Sequence, residues 1–402
     1  MSAPETSQSG ALQEQVSLPD LALVFLKLGT IAFGGPAVHM AMMQDEFVRK
    51  RRWIRQADFL GRLAAANLIP GPSSTEVAIF IGQSKRGWLG LIVAGCCFIL
   101  PAAFLVALIA AAYVRFGTMP QVSGILYGIK PAVIGIVLQA VCSLTRTAAK
   151  TKFLVALGIL ALVLSLFVAA PLLVLILAGM ASAIGWSPKN RTTTAVSSFL
   201  PFSGSFGAGV AAFTSAVAFA PVTLWRLFLS FLKIGSVVFG SGYVLLAFLQ
   251  TEFIAHLHWL SEKQLIDAVA VGQFTPGPVF TTATFIGYLV AGVRGAAVAT
   301  VGIFIPGFLF VALSGPLLPR LRRWLLAAAI VEGVVVGSLG LMAAVAWQLG
   351  RAAIIDWPTL AILVVSLILL LHYRINSAWL VAGAAFAGWA AFLVRALIDD
   401  AF

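Results

Sequence analysis

Charge is what this sequence has least of. Of its 402 residues only 10% are Asp, Glu, Lys or Arg, and acids are the scarcer sign, 14 against 26 bases. A chain that is 61% hydrophobic cannot cover a globule with a charged surface, so a water-soluble protein is excluded. Cysteine is scarce as well: Cys96, Cys97 and Cys142 lie inside apolar runs, without metal-site spacing or a disulfide framework, and read as small packing residues. Neither GxxxxGK[ST] nor a glycine-rich strand-to-helix fingerprint occurs, so ATP hydrolysis by this chain is not expected. His39, His256, His258 and His372 form no ligand set, and no nucleophile stands beside a base. No metal, cofactor or catalytic residue is expected. Residues 1–20 carry Glu5, Glu14 and Asp20 but no Lys or Arg, so they lack a signal-peptide start and read as a disordered tail.

What the chain has instead is apolar length. Mean hydropathy is +1.03, and apolar runs at residues 89–113, 124–141, 153–168, 172–186, 327–347, 360–371 and 378–394 approach or exceed the roughly 20 residues that span a bilayer. These predict an all-α polytopic membrane protein in contact with membrane lipid. The net charge of +12 sits in short loops between the runs. Membrane topology accounts for it, and a nucleic-acid partner is not expected.

The runs are organised as a tandem duplication. FLKLGTIAFGGP (residues 25–36) and LIPGPSSTE (residues 68–76) recur as FLKIGSVVFGSG (residues 231–242) and QFTPGPVFTT (residues 273–282). Phe25 pairs with Phe231, Lys27 with Lys233, Gly29 with Gly235, Glu46 with Glu252, Trp53 with Trp259 and Pro70-Gly71-Pro72 with Pro276-Gly277-Pro278. After one lost residue the register resumes at Gly82/Gly287, Gly90/Gly295 and Pro101/Pro306. A register held that long marks repeats. The expected divisions are a tail 1–20, a first repeat 21–190, a linker 191–224 and a second repeat 225–402.

Each repeat should contain two broken segments. Residues 21–43 are interrupted at Phe33-Gly34-Gly35-Pro36 and residues 63–83 at Pro70-Gly71-Pro72, where glycine and proline stop one helix and proline can start the next. Between them, residues 44–62 are expected to form a basic amphipathic helix that lies along the cytoplasmic interface with Trp53 at headgroup depth. With Lys85 and Arg86 following, bases flank the second break on both sides, which predicts a re-entrant hairpin; a simple loop between two spans is the alternative. In the second repeat the basic bias moves to other loops: residues 251–263 lose the arginine cluster, while residues 319–324 gain one. By the positive-inside rule the halves then lie in opposite orientations, an inverted-topology repeat. The uncharged stretch 199–225 is long enough to be the span that inverts the second half. A competing parse lays it at the interface and places the N-terminus outside.

Backbone that leaves helix geometry at membrane depth survives only where protein or a water-filled cavity satisfies it. Four breaks therefore imply a polar site near the midplane, and helices restarting there aim unsatisfied amides and positive dipole ends at an anion. The candidate substrate contacts are Lys27, Gly34, Gly35, Asn67, Gly71, Ser73, Ser74, Thr75, Lys233, Gly240, Gln273, Gly277, Thr281 and Thr282. A lysine at the bilayer centre costs at least ~2.5 to 3.5 kcal/mol, so it has a partner, a purpose, or a route to snorkel to the interface. The hydroxyls serve either the anion or their own helix carbonyls; Asn67 and Gln273 either donate to an oxyanion or cap helices. Glu76, opposite Thr282 in the duplication, is the proton-coupling candidate, unless it pairs with Lys27 or Lys233. Glu46 and Glu252 are candidates for supporting the site from behind.

The quoted motifs, FGGP at residues 33–36, PGPSSTE at residues 70–76, and the second-half FGSG (residues 239–242) and TPGPV (residues 275–279), resemble the chromate transporter family in its long form with two fused homologous domains. The similarity runs over nearly the whole chain from about residue 21. One departure is Ser241-Gly242, where the first half has Gly-Pro. The resemblance implies a multi-pass bacterial inner-membrane protein that exports chromate, a tetrahedral dianion like sulfate, and confers chromate resistance. Within transport, a sulfate or other oxyanion porter is the alternative; a lipid-handling intramembrane protein is a more distant one. A homodimer is compatible with the sequence.

Overall fold

A computed structural model describes residues 16–33, 35–67, 69–117, 119–148, 151–167, 170–185, 222–238, 244–321, 325–373 and 375–399. Every regular element among them is helical. Residues 1–15 of the expected tail and most of the expected linker span fall outside the described residues. Residues 16–20, expected to belong to the disordered tail, instead form the cap and first turn of the first helix, because the Ser17 side chain accepts the Asp20 amide.

The first half opens with α1 (Leu18–Ile31), whose first turn is capped by the Ser17 side chain accepting the Asp20 amide at 3.2 Å. It stops at Ala32, and α2 (Pro36–Gln44) restarts behind Gly35, which takes φ 81°. A proline at the first helical position loses no amide that the helix needs. α2 then widens into a π-turn, Asp45–Lys50. Residues 44–62 were expected to form one amphipathic helix, and the structure corrects that. Arg52 adopts φ 53°, a left-handed conformation that ends a helix, and α3 (Gln56–Ala66) starts afresh. The second half repeats this as α8 (Leu224–Val237), α9 (Leu245–Leu249) with a π-turn Gln250–His256, and α10 (Glu262–Phe274), with His258 at φ 52°.

After the second break comes α4 (Ser73–Phe116), and in the other half α11 (Thr282–Leu321) after a short 3-10 turn, Val279–Thr281. Neither is straight: Arg86-Gly87 and Ala291-Gly292 leave helix geometry, with Gly87 at φ 57° and Gly292 at φ 60°. The two arms fold back on each other where the carbonyls of Gly82 and Gly90 fill each other's Cβ positions, as do those of Gly287 and Gly295. The paired glycines of the duplication are therefore the crossing points of two V-shaped helix pairs. In the first half, α3 is 11 residues long, about 16 Å at 1.5 Å per residue, well under the roughly 30 Å hydrocarbon core. Asp58 and Arg62 on α3 lie within electrostatic reach of Lys85 at the far end of the first α4 arm, so the two segments run back along each other. The fold-back expected of a re-entrant hairpin is present.

The remaining helices interlock the halves. The first half continues with α5 (Pro120–Ala148), α6 (Lys152–Phe167) and α7 (Pro171–Gly185); the second with α12 (Leu325–Ala353), α13 (Trp357–Leu371) and α14 (Ser377–Asp399). α6 and α7 pack on α12 of the other half, and α13 and α14 pack on α5. The centre of the molecule is α4 against α11, with α1 and α8 each packed on the long helix of its own half. Small residues let the backbones approach, as at Gly128 against Ala384 and Gly388, and Gly333 against Ala178, the packing that association in lipid favours. Four described helices are long and apolar enough to cross a membrane, two per half: Ser73–Phe116, Val122–Arg146, Val279–Ser314 and Ala329–Ala353.

Candidate anion site at the crossed breaks

The breaks of the two halves satisfy each other. The Gly71 amide donates to the Val238 carbonyl at 2.7 Å, and the Gly277 amide donates to the Ala32 carbonyl at 2.9 Å. Ala32 and Val238 are the C-terminal cap residues of α1 and α8, and such carbonyls have no partner within their own helices. Gly71 (φ 137°) and Gly277 (φ 91°) adopt backbone conformations that favour glycine. Space also demands glycine. A Cβ on Gly277 would stand 2.6 Å from the Ala102 Cβ, and one on Gly29 would stand 2.6 Å from the Phe98 carbonyl oxygen. That carbonyl lies one turn before Pro101, whose missing amide thins the hydrogen bonding of the second α4 arm there.

Glu76 lies over the first break. It has zero exposure, its Oε1 fills the position a Gly71 side chain would take, and Gly307 of α11 faces it from the other half. Neither carboxylate oxygen has a hydrogen-bond partner among the described residues, and the neighbouring Thr75 Oγ1 has none either. Ser73 and Ser74 are buried beside them in the first turn of α4. The second break is closed by contrast: Thr281 donates to Pro278 and Thr282 to Val279, each at 2.8 Å. The hydroxyls thus divide, with those of the second half bonding back to their own helix. The geometry is asymmetric where the sequence is.

The lysines stand apart from Glu76. Lys27 and Lys233 are exposed, and Lys233 pairs with Glu252 at 2.9 Å, where Ser230 also donates at 3.0 Å. Glu46 pairs with Arg51 at 2.7 Å. The expected alternative that Glu76 pairs with a lysine is therefore not realised; Lys233 lies on the exposed face of α8, within reach of the π-turn that carries Glu252. Gln273 is buried and Asn67 exposed. Gly35 forms the turn into α2, while Gly34 and Gly240 lie outside the described residues.

The sequence reading missed a second buried cluster. Tyr113 on α4 donates to Asp267 Oδ2 at 2.8 Å, and the Lys130 ammonium on α5 stands 3.5 Å from Oδ1. Asp267 has zero exposure. A lysine inside the apolar run 124–141 was the available signal, as was an acid within the re-entrant arm of the second half.

These features define a duplicated, broken-helix membrane protein of the transporter class. A family model described as Chromate transporter matches residues 19–185 and, a second time, residues 225–389; the chain belongs to this family. The Chromate transport protein of Cupriavidus metallidurans is 33% identical over 398 residues, covering 97% of each chain. A Probable chromate transport protein of Synechococcus elongatus is 32% identical over 360 residues, covering 88% of this chain and 89% of its own. The Chromate transport protein of Pseudomonas aeruginosa is 27% identical over 399 residues, covering 95% and 94%. No solved structure matches the chain.

Proposed function

We propose that this protein is a secondary transporter that exports chromate across a bacterial inner membrane and thereby gives chromate resistance, with the substrate engaged at the crossed breaks. The observation that carries this is the reciprocal pair of bonds, Gly71 to Val238 and Gly277 to Ala32, which joins each Pro-Gly-Pro break to the end of the first helix of the other half. The printed names of the full-length relatives support chromate as cargo. The first turn of α4, with Ser73, Ser74 and Thr75 buried at its positive end, suits a tetrahedral oxyanion, and Gln273 is the further contact in this reading, while Lys27 and Lys233, exposed on α1 and α8, attract the anion on its approach. Sulfate has the same shape and charge and is the competing cargo.

Energetics agree with a secondary mechanism. A dianion leaving a cell with a negative interior gains roughly 2.3 kcal/mol per charge per 100 mV, about 4.6 kcal/mol in all. At about 1.4 kcal/mol per tenfold, this sustains a gradient of about three orders of magnitude without ATP. A counter-moving proton is therefore optional in this reading, and Glu76 is the candidate to carry one.

The direction of transport is tested by loading cells with labelled chromate. Cells expressing the protein should hold less than cells lacking it, and the difference should disappear when the membrane potential is collapsed. Higher accumulation would make the protein an importer, and equal accumulation would remove chromate as its cargo.

A further inference from the structure

We infer that Tyr113, Lys130 and Asp267 form a second site, without a matching acid in the first repeat, at which protonation of Asp267 releases the re-entrant helix α10 of the second half from the first half and so sets the pace of the transport cycle. The inference rests on the transport reading above and adds a control site to it.

Three observations place the site. It joins the halves: Tyr113 and Lys130 belong to α4 and α5, Asp267 to α10. It is incomplete: Asp267 has zero exposure, yet its Oδ1 makes no hydrogen bond, with the Lys130 ammonium at 3.5 Å. It is not duplicated: the register of the repeat puts Gly61 opposite Asp267, so the matching arm α3 has no acid there. A buried ion pair with an unfilled acceptor contributes little to stability compared with apolar packing, and intramembrane charges of this kind commonly mark a proton or ion path.

The connection to the anion site is mechanical. α10 is a single helix, fixed at its start by the reciprocal cap of Ser261 and Gln264. Asp267 lies two turns before its end at Phe274, and just beyond come Thr275 and Gly277, whose amide is held by Ala32 of the first half. Holding Asp267 against α5 therefore holds the second break. When a proton from water adds to Oδ1, the carboxyl becomes neutral, Lys130 keeps its charge and loses its counter-ion, and α10 is free to move with the break it carries. The charged and titratable groups facing Asp267 are Tyr113 from α4, Lys130 from α5 and Lys263 on α10 itself. Among the described residues, the other elements packed on α10 are α11 with the 3-10 turn before it, α12, α14 and the π-turn Gln250–His256. None brings a charged group to Asp267, and Glu252 and His256 of the π-turn face each other and Lys233 instead.

The test is equilibrium exchange of chromate or sulfate in proteoliposomes, with equal anion on both sides and no potential, measured across pH. Four variants of the full chain are compared: Asp267→Asn, Lys130→Met, the double Lys130→Met/Asp267→Asn, and Tyr113→Phe. The double variant leaves no charge unpaired and should fold and exchange anion with a flat pH profile. Asp267→Asn should also flatten the profile. Lys130→Met, which strands a buried carboxylate, should exchange on the order of tenfold more slowly than the double. Tyr113→Phe should shift the midpoint of the profile without abolishing it. A double variant that keeps the parent's pH profile overturns the inference, as does a parent whose exchange ignores pH or a Tyr113→Phe variant with an unmoved midpoint. A parent that exchanges no oxyanion at all would remove the transport reading first and this inference with it.

Discussion

The amide of Gly277 donates to the carbonyl of Ala32 at 2.9 Å, across the boundary between the two halves. The duplication turns that bond into a pair, because Gly71 makes the equivalent bond to Val238. Contacts that come in such swapped pairs describe a two-fold relation. Here it is reinforced by α6 and α7 packing on α12 while α13 and α14 pack on α5. The halves are thus one interlocked unit, in which one amide and one carbonyl at the breaks of each half are satisfied by the other half.

Gly277→Ala should therefore be poorly tolerated. The residue sits at φ 91°, with the Ala102 Cβ 2.6 Å from where the new methyl would stand. A strained backbone position costs about 1–3 kcal/mol, and overpacking adds to it. Gly292→Ala is the control: it has φ 60° but nothing within 4 Å. Thermal unfolding in detergent should show Gly277→Ala melting below Gly292→Ala, and equal melting points would show that the crossing is not tightly packed.

Lys27→Ala and Lys233→Ala should each weaken the apparent affinity for the anion. Arginine should restore it only in part, because a planar fork does not replace a compact ammonium. Lys233 is the more informative because Glu252 already holds it at 2.9 Å. Glu252→Gln should release the lysine and change affinity, whereas a mere anchoring role would leave affinity unmoved. Unchanged affinity in both alanine variants would mark the lysines as interfacial anchors.

Glu76→Gln should abolish the response of flux to an imposed pH gradient while leaving anion exchange at equilibrium partly intact. Its carboxylate has no partner among the described residues, so the change to an amide breaks no described ion pair. Equal loss in both modes would leave Glu76 a structural role only. The proposed role of Asp267 is separable, since it governs the pH profile of exchange and not the coupling to a gradient.

Orientation is tested by labelling in intact cells. Arg49 and Ala255 are equivalent in the duplication and both exposed. With the halves inverted, a cysteine at residue 49 should react only from the cytoplasm and one at residue 255 only from outside. Labelling of both from one side would show that the halves run parallel.

Much of this was legible in the sequence because the signals were local or repeated. Glycine and proline fixed the breaks at Gly35, Gly71 and Gly277, while the one expected at residues 239–242 lies outside the described residues. The constant register paired Gly82 with Gly287 and Gly90 with Gly295, and bases on both sides of Pro70-Gly71-Pro72 pointed to the hairpin. What stayed hidden depends on long-range approach. No local pattern says that Gly277 bonds to Ala32, that α6 and α7 cross to the other half, or that Lys130 meets Asp267. The single amphipathic helix expected over residues 44–62 failed because hydrophobic patterning does not report that Arg52 turns left-handed.

The central claim is that the crossed breaks carry chromate down its electrochemical gradient. Purified protein in sealed liposomes, holding labelled chromate under a clamped membrane potential and without ATP, tests it most directly. Flux should rise with a potential negative on the chromate side, fall when unlabelled chromate or sulfate competes, and drop in the Lys233→Ala variant. Flux no faster than from protein-free liposomes, at any potential, would contradict it.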